Sequence, residues 1–436
     1  MNTSTLRKIV SVAPRREIFA WAMYDFANSG YTTVVLTAVF NAYFVGVVAA
    51  KVGGQGAGTL YWTIAIAITN ALVLVTAPVL GAIADHRADK KRFLAVTTIG
   101  CVLFTASLAV VGPGDVALAM TLVVLASTMF HTGENLISAF LPEIAPQQDM
   151  GRISGYGWAL GYIGGLIVLA MCLVYVRWAQ AHGQSAPEYV PVTMLITAGM
   201  FALAVLPTFL WLPERATASP LPPGKSYLGA GFERIKQTLA HVHQFKDLFR
   251  FLCSLMVYYC GIYTVIVLAA VYAREVMRFD TAGTLVLILV INVTAAIGAL
   301  AFGYVQDWLG SKRTLALTLV VWVAALMIAF ASESRATFWL AGNLVGLALG
   351  SSQSAGRALV GQFAPPWRAA EFFGLWGLAG KVAAIFGPLS YGAITYLTHG
   401  QHRIAIASTT AFFVVGLAVL MAVDERRGRA AALAAD

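Results

Sequence analysis

Two full positive charges, Arg357 and Lys381, sit inside apolar stretches of this chain, and two acids, Asp25 and Glu134, sit inside others. A cation in hydrocarbon costs at least ~2.5–3.5 kcal/mol on insertion scales, so each should face a partner, a cavity or a ligand. Arginine presents a planar fork that fits a carboxylate, and a carboxylate enclosed in a helix bundle suits a proton carrier. The neighbours are polar too. Asp25, Asn28 and Thr32 share one helical face, with Tyr31 beside them; His131 lies three residues before Glu134 and Asn135 one after it; Gln353 precedes Arg357 by one turn; Trp376 flanks Lys381. This set can hold a small solute bearing both charges, or a proton. Structural readings stand beside the functional ones: an ion pair ordering a helix entrance for Asp25, an interhelical anchor for Glu134, and a partner of Asp25 for Lys381. His131 and Glu134 have no third ligand at fixed spacing, so neither metal nor cofactor is expected.

The elements that position these groups are membrane helices. Of the 436 residues, 59% are hydrophobic and only 11% charged, against about 25% charged in a soluble domain. A span needs ~20 apolar residues, and about twelve such stretches occur: 19–48, 59–84, 92–111, 116–140, 153–177, 192–212, 248–273, 283–306, 314–332, 337–362, 371–398 and 404–423. The first is far longer than a signal-peptide core and should be retained. A polar stretch with Pro220, Pro222 and Pro223, then a helix-like run around Lys236, His241 and His243, divides the spans six and six. The expected domains are therefore residues 1–212, a linker 213–247, and residues 248–436.

Basic residues fix the expected orientation. Of the 29 lysines and arginines, 21 fall in loops on one side and 6 on the other, with Arg357 and Lys381 inside spans. That bias places both termini and the linker in the cytoplasm, and it accounts for the high pI without any nucleic-acid partner. The four cysteines, Cys101, Cys172, Cys253 and Cys260, read as small buried hydrophobes. The Gly53–Gly56 loop reads as a flexible outer connection.

An internal repeat is legible. Gly81 and Asp85 recur as Gly303 and Asp307, displaced by 222 residues, and both lead into basic turns, Lys90–Arg92 and Lys312–Arg313. Ala88-Asp89 stands where the second copy has Gly310, which predicts a looser first turn. At a displacement of 219, Gly155 and Gly161 meet Gly374 and Gly380. Two halves in the same orientation imply a pseudo-two-fold along the membrane normal, with substrate bound between them near the midplane.

The two G-x-x-x-D loops resemble the signature of the major facilitator superfamily, in which the Asp and the basic residues latch the halves together. The stretches WAMYDFANSGY (21–31) and RISGYGWALGYIGG (152–165) resemble the autophagy-related vacuolar amino-acid effluxers of that superfamily; together with spans 10–11 the similarity covers roughly a third of the chain. The resemblance implies an all-α integral membrane fold of about twelve helices in two pseudo-symmetric halves, with spans 1, 4, 7 and 10 lining a central cavity. Glu134 plus 222 is 356, so Glu134 and Arg357 are expected to face each other there. It also implies a secondary transporter, not an enzyme, moving an amino acid or similar zwitterion, with proton coupling through Glu134, as a monomer among membrane lipids in a bacterial inner membrane. Cross-half pairing of the four charges would close the cytoplasmic side. A lysolipid transporter and a drug or siderophore exporter are alternatives on the same fold, and a membrane-embedded enzyme or receptor is a third.

Overall fold

The computed structural model describes residues 12–50, 52, 57–215, 245–279, 281–399 and 401–434. The run around Lys236, His241 and His243, most of the linker, and the Gly53–Gly56 loop lie outside them. Hydrocarbon offers no hydrogen-bond partners, so the apolar stretches satisfy their own backbone as helices. The passes are α1 Arg15–Val48, α2 Ala57–Arg87, α3 Lys90–Ser107, α4 Val116–Ser138, α5 Met150–Ala181 and α6 Ala186–Ala204 in the first half. In the second half they are α7 Lys246–Glu275, α8 Thr281–Leu309, α9 Ser311–Ala331, α10 Arg335–Phe363, α11 Ala369–Leu397 and α12 His402–Met421. A shorter helix, α13, follows at Glu425–Ala434. α1 widens into π turns at Thr32–Ala38 and Phe44–Val48, away from its start.

Among the described residues, eleven passes are long and apolar enough to cross a membrane. The exception is α10, which has the length, 29 residues, but carries Ser351, Ser352, Gln353, Ser354 and Arg357 in its second half. α10 is also the pass that bears Arg357. Large apolar side chains such as Val75, Val174 and Leu210 point outward, where lipid would cover them.

α2 packs against α11, and α5 against α8, forming two equivalent seams between the halves. Without a hydrophobic driving force between helices in lipid, such seams depend on close backbone approach. The glycines matched by the 219-residue repeat provide it: a Cβ on Gly155 would sit 2.5 Å from the Ala299 carbonyl oxygen, and one on Gly374 2.8 Å from that of Ala77. Both seams lie toward the end carrying the basic turns, called here the basic end. The α2–α3 turn differs from expectation. Ala88 adopts φ +51° beside φ +91° at Gly310, so the turn keeps a left-handed residue at ~1–2 kcal/mol cost to an L side chain. Backbone bonds from Ala88 to Asp85 and from Asp89 to Ala84 hold it. Cys101, Cys172 and Cys260 are buried as expected, whereas Cys253 is exposed on α7.

Candidate functional site

Three helices build a closed clamp. Arg357 on α10 donates from Nη1 to the Asp25 carboxylate on α1 at 2.7 Å. Its Nη2 and Nε donate to the carbonyl and hydroxyl oxygens of Ser154 on α5, at 2.9 and 3.2 Å. The guanidinium lies 4.6 Å from the Trp21 ring and 5.3 Å from that of Trp158. Gly157 makes room: a Cβ there would meet Asp25 Oδ2 at 2.3 Å and Arg357 Nη2 at 2.5 Å. Arg357 is 2% exposed and Asp25 8%. A buried cation with one carboxylate, two more acceptors and two aromatic faces meets the conditions under which such pairs persist. The clamp joins residues 332 apart in the chain and ties one half to the other.

This pairing corrects the expectation from the repeat. Arg357 makes its ion pair with Asp25, on which its Nη1 closes while Ser154 takes its other donors, and Glu134 lies within electrostatic reach of the arginine without an ion pair to it. Asp25 correspondingly does not pair with Lys381.

Glu134 and Lys381 form an open counterpart. Glu134 Oε2 lies 3.3 Å from His131 Nδ1, and its side chain remains 31% exposed. Lys381 on α11 is 8% exposed and lies within electrostatic reach of Glu134 and His131, with no ion pair between it and the acid. Asn135 abuts α11 at Gly377, and its Nδ2 is buried without a hydrogen-bond partner, as are Trp376 Nε1 and both amide atoms of Asn28. Tyr259 and Tyr263 of α7 approach α11 at Gly380. On the α5 side, Tyr162 donates to Gln353 Oε1 at 2.5 Å across the halves. Tyr31 is set apart from these groups: its hydroxyl pairs with Ser127 at 2.8 Å and its ring stacks on Phe130. An acid and a base that have not neutralised each other, lined by unpartnered donors, can bind a zwitterion or move a proton.

The repeated loops close the basic end. Asp85 accepts from the backbone N–H groups of Ala370 and Glu371 at 3.2 and 2.9 Å, at the start of α11. Asp307 accepts from the Arg152 N–H at 3.1 Å, at the start of α5. Each acid thus rests on a helix N-terminus of the opposite half, where a partial positive charge favours it. Gly81 and Gly303 allow the approach, facing the Ala370 and Gly151 carbonyls. Lys312 stays within its own half, donating to the Met421 and Val423 carbonyls at 2.9 and 2.6 Å, and Arg313 is exposed. Sequence spacing assigned no role to Trp21, Ser154, Gly157 or Trp158; their signal was membership of the two stretches, 21–31 and 152–165, that resemble the effluxers.

The fold and the family match together define a membrane transporter of the major facilitator type. Among solved structures the chain is similar to the proton:xylose symporter XylE, with TM-score 0.71, 15% identity and coverage of 100% of this chain and 99% of that one. It is also similar to a bacterial homologue of the iron transporter ferroportin in an outward-facing state, with TM-score 0.68, 14% identity and coverage of 94% and 99%; both likenesses concern the fold alone. The family described as "Vacuole effluxer Atg22 like" matches residues 13–433, and the chain belongs to it. Its relatives include an uncharacterized MFS-type transporter, YxiO, of Bacillus subtilis, 29% identical over 93% of this chain and 94% of that protein. Autophagy-related protein 22-1 of Penicillium rubens is 25% identical over 65% of this chain and half of its own length.

Proposed function

We propose that this protein is a secondary transporter of a small zwitterion, an amino acid being the best fit, that works by alternating access between halves 1–212 and 248–436. The observation that carries the reading is the inequality of the two charge pairs: Asp25–Arg357 is closed on itself, while Glu134 and Lys381 are left apart. The solute's ammonium goes to Glu134 and its carboxylate to Lys381, with Asn28, Asn135, Gln353 and Trp376 as uncharged donors and acceptors around them. Four charges of balanced sign favour a solute with no net charge. Asp25–Arg357, together with Asp85 and Asp307, holds the basic end shut, which by the positive-inside bias is the cytoplasmic end of an inner-membrane protein. Protonation of Glu134 competes with the solute's ammonium and offers a route to proton coupling. Membership of a family described as vacuole effluxers supports the transport role.

The test is uptake into sealed proteoliposomes containing the purified monomer, with labelled amino acids and an imposed pH gradient. Saturable uptake that falls at least about tenfold in Glu134→Gln and Lys381→Met, about 1.4 kcal/mol or more of lost binding, is expected. Uptake indifferent to both substitutions would sink the assignment.

A further inference from the structure

The helix α13 has no part in the charge pairs, yet it touches the starts of two helices and the end of a third. Glu425 accepts from the Ser311 and Lys312 N–H groups at 3.2 and 3.0 Å, sitting on the N-terminus of α9. Arg427 binds Asp247 at the start of α7 through two hydrogen bonds, at 2.5 and 2.7 Å. Gly428 lies flush on Phe363 at the end of α10, where a Cβ would come within 2.6 Å of the ring. Arg429 Nη2 donates to Gln362 Oε1 at 2.9 Å and also pairs with Glu425.

Gln362 is where this arrangement reaches the other half. Its Oε1 also accepts from Ser311 Oγ at 2.7 Å. Its Nε2 donates to the Gln147 carbonyl at 2.8 Å, and Gln147 Nε2 returns a bond to the Gln362 carbonyl at 3.4 Å. Gln147 sits in the turn that leads into α5, three residues before the Met150 start of that helix. One amide therefore connects α13, the start of α9 and the opposite half.

Among the described residues, the first half has the equivalent parts without this cross-link. After α6, Glu214 accepts from the Lys90 and Lys91 N–H groups at 2.7 and 3.0 Å, as Glu425 does on α9. The residue in Gln362's place is Glu143, which takes the Lys90 ammonium and the Arg215 N–H. Those partners all belong to the first half. Swapping the carboxylate for an amide supplies the donor by which Gln362, unlike Glu143, bonds to the opposite half.

We propose that α13 is a strap that holds the basic end shut, acting through Gln362 on the turn before α5. Lifting the strap frees Gln362, loosens Gln147, and releases the start of α5 from Asp307. The proposal concerns how the closed state is held, so it does not depend on which solute is carried.

Hydrogen–deuterium exchange of the full-length protein in detergent tests it, read over 147–153 and over 85–92. Gly428→Val wedges α13 off Phe363, and Gln362→Ala cuts the joint while leaving α13 in place. Either change should speed exchange over 147–153 by about fivefold or more, with 85–92 unchanged, since local opening sets exchange. Faster exchange within α13 itself, with 147–153 unaltered, would overturn the proposal. So would an unaltered 147–153 in Gln362→Ala, or equal acceleration of both segments in both variants, which would mean general loosening.

Discussion

Asp25–Arg357 and Glu134–Lys381 are both an acid from the first half and a base from the second, yet the bundle treats them in opposite ways. The first pair is closed at 2.7 Å, aided by Ser154, between two tryptophans and opposite a glycine that leaves no spare volume. The second is held apart, with the acid partly exposed and unpartnered donors nearby. Charge type is the same in both, so it does not decide the role. What decides it is whether neighbouring helices fill the space around the charges and complete their hydrogen bonds. A completed pair resists any competitor and serves to join the halves; an incomplete one has free energy left for a ligand.

Stability measurements can break this contrast. Arg357→Ala leaves Asp25 buried and uncompensated and should lower unfolding stability by ~3–5 kcal/mol, with Arg357→Lys failing to restore it because the planar fork is lost. If a thermal melt of Arg357→Ala matched the parent, the clamp would not be structural. Gly157→Ala inserts a methyl group against both members of the clamp and should cost ~1–3 kcal/mol, again read by melting. Lys381→Met marks the opposite case. It removes a buried cation that has no ion-pair partner, so stability should hold or rise by up to about 1 kcal/mol while uptake is lost; a large destabilisation would mean that Lys381 is paired after all. The smallest effect should come from Tyr162→Phe, which removes one cross-half hydrogen bond for ~0.5–1.5 kcal/mol and should leave solute affinity nearly unchanged in a binding titration.

The repeat that matched the seam glycines did not fix the charge pairing. Gly155 and Gly374 fall where the 219-residue displacement places them, because a glycine that lets two backbones touch is demanded by both copies of the seam. The 222-residue displacement matched Glu134 to the neighbour of Arg357, but a shared position in two halves does not fix which partner each charge meets. Ala88 likewise departs from the residue type at Gly310 while keeping a left-handed backbone, since the flanking hydrogen bonds outweigh the preference of one residue.

Taken alone, the sequence determined the helical passes, the repeated acids of the basic end and the identity of the four charges within the spans. These follow from hydropathy, charge and spacing, which act over a few residues. Only the tertiary structure decided that Arg357 closes on Asp25, that Trp21, Ser154, Gly157 and Trp158 enclose them, and that Glu134 and Lys381 stay apart. Those outcomes depend on the rotation and spacing of α1, α4, α5, α10 and α11, and no periodicity within one helix specifies how far it turns against another.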